Sequence, residues 1–251
     1  MVSFEGVATW LTLTEAASLA SVAGAVYAAA LHGRAVRTAA LFNVFVQGQV
    51  LYGLAAAIGL RLGQPLGLGA PLLDRLWGDG AAGFGLGTAA ALAMVGVLTS
   101  VFALGLDLVM FRSARAALAR APIVRVGFWP RVGAVAYGAV SEEVLVRLCI
   151  LTTLAAAVAW LGAPPLWAAT VAIAVSALLF GLGHLPATAG LVRLDRVVVL
   201  RCLVLNGQGG VVFGTAFCGW GLEAAMIAHA AANLTIQFAL PLVARASGRR
   251  R

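Results

Sequence analysis

Seven apolar stretches, each long enough to cross a bilayer, occupy most of this chain: residues 11–31, 39–60, 81–110, 133–161, 165–184, 197–217 and 221–243. A hydrocarbon core about 30 Å thick takes about 20 apolar residues of helix at a rise of 1.5 Å each. No water is present there to satisfy backbone groups, so each stretch must close its hydrogen bonds within itself as a helix. The expected fold is all-α, a polytopic transmembrane helix bundle of about seven spans. Composition agrees, with 62% of residues hydrophobic and 10% charged, against about 25% charged in a soluble domain. Breaks between the stretches hold His32-Gly33-Arg34, the Gly/Pro-rich segment 63–80, Ala163-Pro164-Pro165 and Gly219-Trp220-Gly221. The third stretch has length to spare for a short interfacial helix around residues 80–87. Arg201, Asn206 and Gln208 interrupt the sixth.

The placement of charge sets an orientation. All 17 basic residues are Arg, and the net charge is +8. Arg34 and Arg37 lie in the first connection, and Arg112, Arg115, Arg120, Arg125 and Arg131 in the third. Arg193, Arg196 and Arg201 lie at the fifth, and Arg245, Arg249, Arg250 and Arg251 in the tail. The alternate side carries only Arg61 and Arg75, offset by Asp74 and Asp79. The positive-inside rule puts the N-terminus outside and the C-terminus in the cytoplasm, in the plasma membrane of a prokaryote. Arg residues so placed face anionic lipid headgroups, so membrane lipids are expected partners and nucleic acid is not. The N-terminus lacks the basic start of a signal peptide, its first basic residue being Arg34. Cys149, Cys202 and Cys218 lie in apolar surroundings without CxxC spacing and read as free, buried thiols. No internal repeat is visible.

Polar residues inside the spans are the exceptions that need a reason, because a charge at bilayer depth costs at least ~2.5–3.5 kcal/mol. Three groups stand out. The first is Ser141-Glu142-Glu143-Val144-Leu145-Val146-Arg147 in span four. Glu143 and Arg147 are spaced i, i+4 with the acid first, the favourable order for a helical ion pair. Glu142 points about 100° away and lacks that partner. A division follows, with the Glu143–Arg147 pair structural and Glu142 chemical; a purely buried network is the bland alternative. The second group is Phe180-Gly181-Leu182-Gly183-His184 at the end of span five, where a histidine also suits a helix C-terminus. The third is His229-Ala230-Ala231-Ala232-Asn233, with two polar side chains on one face of span seven; such groups also serve as interhelical glue. His32, the remaining histidine, sits among cytoplasmic Arg residues and reads as solvated. By helical rise, Glu142 lies ~14 Å and Asn233 ~15 Å from the cytoplasmic ends of their spans, with His184 nearer the surface. Gly210-Val211-Val212-Phe213-Gly214 adds a GxxxG face for close helix approach.

Glu-Glu-x-x-x-Arg, Phe-x-x-x-His and His-x-x-x-Asn, in this order on successive spans, resemble the CPBP intramembrane proteases, the CAAX-processing and bacteriocin-processing enzymes also called the abortive-infection family. The resemblance covers about 133–243. It implies a division into N-terminal transmembrane helices without recognised motifs (1–132), a catalytic helical core (133–243) and a basic cytoplasmic tail (244–251). By motif position it implies that Glu142 and His184 activate water and that His229 and Asn233 stabilise the oxyanion. Glu143 with Arg147 braces the site, and Phe180 packs the motif. Leu148 departs from the family pattern, in which many members have Gly after the motif Arg, and this bears on substrate access.

Peptide hydrolysis needs an activated water, a proton donor for the leaving amine and donors aimed at the oxyanion. Side chains of those types are present. Glu142, His184 and His229 also have the chemistry of three catalytic zinc ligands, although His-Glu-x-x-His is missing; a metal-independent reaction is the expectation, with a divalent metal such as zinc the alternative. The expected partner is a protein or peptide substrate, lipidated or not. Two other classes use the same residues: a catalytically silent immunity or scaffold protein, and a proton-coupled transporter.

Overall fold

The computed structural model describes residues 4–78, 83–118, 120 and 126–248. It is 87% helical with no strand among the described residues, an all-α bundle as the apolar stretches require. In chain order the helices are α1 (Phe4–Leu31), α2 (Thr38–Gly63), α3 (Pro71–Trp77), α4 (Leu86–Met110), α5 (Arg112–Leu118), α6 (Phe128–Ala136), α7 (Thr152–Trp160), α8 (Pro165–Gly183), α9 (Leu185–Ala189), α10 (Arg196–Trp220) and α11 (Leu222–Gly248). Two π-helical segments, π1 (Tyr137–Glu142) and π2 (Val144–Leu151), join α6 to α7, so that Phe128–Trp160 is one continuous rod. Among the described residues six helices are long and apolar enough to cross a membrane. The 27-residue α11 is the seventh long helix of the bundle. Large apolar side chains such as Leu54, Phe102 and Leu178 face outward, as they do in lipid. The protein is an integral membrane protein.

One expectation shifts. The short helix lies at Pro71–Trp77 rather than around 80–87, where residues 83–85 run non-helically into α4 and 79–82 lie outside the described residues. The cause is local: Pro71 starts a helix well with its fixed φ and missing donor, whereas Gly78, Gly80, Gly83, Gly85 and Gly87 disfavour one. Glu223 of α11 accepts the backbone N–H of Leu73 at 2.9 Å, and Thr9 of α1 donates to Asp74 at 2.9 Å. Asp79, Arg125 and Arg249–Arg251, used above for orientation, lie outside the described residues. The cysteines are free as expected, but only Cys202 is buried; Cys149 and Cys218 are half-buried.

The polar interruptions of the sixth stretch find partners, which is why α10 remains whole. Arg201 grips Asp107 of α4 with two hydrogen bonds of 2.7 and 2.9 Å. Asn206 donates to the carbonyl of Cys202 at 2.8 Å, and Gln208 reaches the carbonyl of Thr99. Packing is tightest where side chains are missing. A Cβ on Gly210 would stand 2.7 Å from the Cα of Ala177, so the GxxxG face of α10 does bring α8 close. A Cβ on Gly96 of α4 would overlap the carbonyl oxygen of Ala228 in α11, and one on Gly59 of α2 the carbonyl of Leu148. Around these contacts lies a core that includes Leu13, Tyr52, Val144, Leu148, Leu151, Phe213, Phe217 and Leu222.

Candidate active site

The middle of the bundle is polar. Arg147 and Glu143 are both fully buried, and Nε of Arg147 stands 3.2 Å from Oε2 of Glu143. The two meet side-on, as an ion pair without an aligned hydrogen bond. Nη1 and Nη2 of Arg147 have no hydrogen-bond partner among the described residues. Two aromatic rings lie against the guanidinium instead, Phe180 at 4.8 Å and Phe213 at 5.8 Å from its Cζ. A desolvated cation over an aromatic ring gains about 2 kcal/mol, and the Glu143 carboxylate supplies the opposing charge.

Glu143 has a second duty that sequence spacing did not reveal. Its Oε1 is 2.7 Å from Nδ1 of His229. The His229 ring is stacked on Phe213 at 4.4 Å and meets Phe180 edge-on at 5.8 Å. One carboxylate thus orients both the arginine on its own helix and the histidine on α11, while two rings prevent the imidazole from turning. Phe213 escaped notice as a site residue; its only signal was its place inside the GxxxG face of α10.

His184 is fixed differently. It ends α8, where Pro186 follows and the chain kinks into α9. Its Nδ1 lies 2.8 Å from the carbonyl oxygen of Phe180, its ring packing edge-on to that of Phe180 at 4.6 Å. A carbonyl oxygen only accepts, so Nδ1 carries the proton and Nε2 is left facing inward.

Both histidines present Nε2 to Glu142. Oε1 of Glu142 is 3.8 Å from Nε2 of His184, and Oε2 is 3.9 Å from Nε2 of His229. These separations are too long for direct hydrogen bonds and fall where a single water bridges two groups. Exposure rises outward: the side chain of His229 is 5% exposed, that of Glu142 18% and that of His184 30%. The site is therefore open at His184 and closed at His229.

Asn233, one turn beyond His229, joins them. It lies against Gly138 of π1, close enough that a Cβ there would overlap its amide nitrogen, and the same Cβ would stand 3.2 Å from Nε2 of His229. Among the described residues the Asn233 side chain makes no hydrogen bond. All the side chains singled out above, Glu142, His184, His229, Asn233, Glu143, Arg147 and Phe180, are thus brought together. Leu148 is not part of this cluster; it is fully buried and packs against Gly59 of α2.

The π-helical stretch is the local feature that sequence gave no sign of. Bonds of the i→i+5 kind are rare outside single turns and concentrate at functional sites. Here they run through Tyr137–Glu142 and Val144–Leu151, on either side of Glu143. Ser141 Oγ donates to the carbonyl of Ala17 in α1 at 2.7 Å and pins the segment at the level of the carboxylates.

Glu142, His184 and His229 are the side chains that would have to share a metal ion. Glu142 turns one oxygen to each imidazole, at 3.8 Å from His184 and 3.9 Å from His229. Among the described residues no group of three or more His, Cys, Asp or Glu side chains is arranged to hold such an ion.

No curated protein and no solved structure matches the chain. Residues 125–235, which carry every side chain of the cluster, match the family model described as type II CAAX prenyl endopeptidase Rce1-like. Beside that match, Glu-Glu-x-x-x-Arg, Phe-x-x-x-His and His-x-x-x-Asn converge on one site, and in this the segment resembles the CPBP family of intramembrane proteases.

Proposed function

We propose that the protein is an intramembrane endopeptidase that hydrolyses a peptide bond near the membrane surface, using a water held between Glu142 and His184. The observation that carries this reading is the separation of 3.8 Å between Glu142 Oε1 and His184 Nε2, at the exposed end of an otherwise buried polar cluster. Glu142 takes a proton from the water as its oxygen attacks the carbonyl carbon. Negative charge moves to the carbonyl oxygen, where His229 and Asn233 donate. The donor role of Nε2 requires His229 as the imidazolium, in which Nδ1 donates to the Glu143 carboxylate and Nε2 to the substrate oxygen. The carbon–nitrogen bond then breaks, and the leaving amine receives the proton from Glu142. Glu143 and Arg147 hold His229 in place and touch no reacting atom. Preorganised donors in a dry pocket are usually the largest contribution to such catalysis.

The substrate is a protein or peptide. The matched description names a CAAX prenyl endopeptidase, and a lipid-anchored protein would reach this site from the bilayer. We read the reaction as metal-free, since no group of three or more His, Cys, Asp or Glu side chains among the described residues is arranged to hold an ion. The test is a peptide-cleavage screen with purified protein in nanodiscs, comparing wild type with Glu142→Ala in the presence and absence of o-phenanthroline. Cleavage by wild type, its loss in the variant and insensitivity to the chelator are expected. One tightly bound zinc per chain, lost in His184→Ala, would replace the metal-free reading with one in which Glu142, His184 and His229 are ligands. A wild type that cleaves nothing would point to a silent immunity or scaffold protein.

The Arg distribution further supports an N-terminus outside and a C-terminus in the cytoplasm, with the site opening to the cytoplasmic side. Single cysteines at Gly78 and Ser113, in a chain whose own cysteines are replaced, test this with an impermeant thiol reagent on intact cells. Labelling is expected at 78 and not at 113; the reverse pattern inverts the topology.

A further inference from the structure

Gly138 is buried in π1, four residues before Glu142, on the side that meets α11. Several glycines close a helix contact against backbone, as Gly59 does at Leu148 and Gly96 at Ala228. Gly138 differs. The atoms that a Cβ would meet are the amide nitrogen of Asn233, which it would overlap, and Nε2 and Cε1 of His229 at 3.2 and 3.4 Å. These are the working ends of the two side chains read above as oxyanion donors. A helix interior favours alanine over glycine, so the local backbone gives no reason for glycine at this position.

Resting on that reading of the site, we propose that Gly138 is a positioning residue. Its missing side chain leaves the space through which Asn233 and His229 reach the same point beside Glu142, so that both donors address one oxygen. The Asn233 amide is the movable end of a side chain. A methyl at 138 therefore displaces the donor without forcing helices apart, and the Gly138→Ala protein folds. Backbone contacts such as Gly96 on Ala228 have no such freedom.

A double-mutant cycle between Gly138→Ala and Asn233→Ala decides the matter. In the wild-type background Gly138→Ala is expected to lower kcat by ~10²-fold, close to the ~10²–10³-fold loss of one oxyanion donor, with KM nearly unchanged. In the Asn233→Ala background the added methyl fills vacated space, and kcat should fall no further. Retention of wild-type kcat by Gly138→Ala overturns the proposal, as does an equal loss in both backgrounds. A wild type without turnover defeats the protease reading instead. The same cycle read as melting temperature in detergent then decides the juxtaposition alone: Gly138→Ala should raise it more when residue 233 is alanine, and equal shifts overturn the contact.

Discussion

Glu142→Gln is expected to reduce peptide cleavage by on the order of 10⁴-fold, towards the uncatalysed background, while the protein melts at nearly the wild-type temperature. General acid–base catalysis by one positioned side chain is worth ~10²–10⁴-fold, and Glu142 serves both halves of the reaction. The amide keeps the shape of the carboxylate, so packing is undisturbed. It can neither take the proton of the water nor return it to the amine. Among the described residues Glu142 also makes no direct hydrogen bond, its two oxygens standing 3.8 and 3.9 Å from the imidazoles, so no fold-supporting contact among them is lost. Steady-state cleavage of a reporter peptide in nanodiscs, read beside a thermal melt, checks both halves. Full turnover in this variant would remove Glu142 from the mechanism.

Glu143→Ala is expected to do the opposite, lowering stability by about 3–5 kcal/mol, the usual cost of stranding one partner of a buried ion pair. Arg147 is fully buried with Nη1 and Nη2 unpartnered among the described residues, and Glu143 is the carboxylate paired with it. The same change frees Nδ1 of His229, so activity falls as well, but through misplacement of a donor. A second replacement, Arg147→Met in the Glu143→Ala protein, should recover much of the stability by removing the unpaired charge, and none of the activity. Melting temperatures and expression in the membrane fraction distinguish the cases. The division between the two adjacent carboxylates collapses if Glu142→Gln and Glu143→Ala melt alike.

The seven apolar stretches were legible because helix length and bilayer thickness leave little choice; α2, α8 and α10 end within about three residues of the expected bounds. The Glu143–Arg147 pair was legible because i, i+4 neighbours meet even through a π segment. The contact between Glu143 and His229 was not, since the two residues are 86 positions apart and nothing local couples them. Phe213 was hidden for a related reason: an aromatic residue in an apolar helix has no distinguishing chemistry until its neighbour is known. Gly138 looked like any glycine of a membrane helix. The π segments themselves carry no proline or unusual run; tertiary contacts such as Ser141 with Ala17 hold them, and those contacts lie outside any window read along the chain.

Gly96, on a helix with no recognised motif, abuts the carbonyl of Ala228, the residue just before His229. Ala17 of α1 receives the hydroxyl that anchors Ser141, and Gly59 of α2 receives the backbone of Leu148. The stretch that can be recognised by family resemblance is therefore smaller than the machine that works. Transplanting 125–235 into another set of membrane helices would carry the reactive groups and leave behind their jig, because the tolerances of the site are cut into α1, α2 and α4. Substitutions in α1, α2 and α4, however unremarkable their chemistry, would shift the site while leaving its motifs intact.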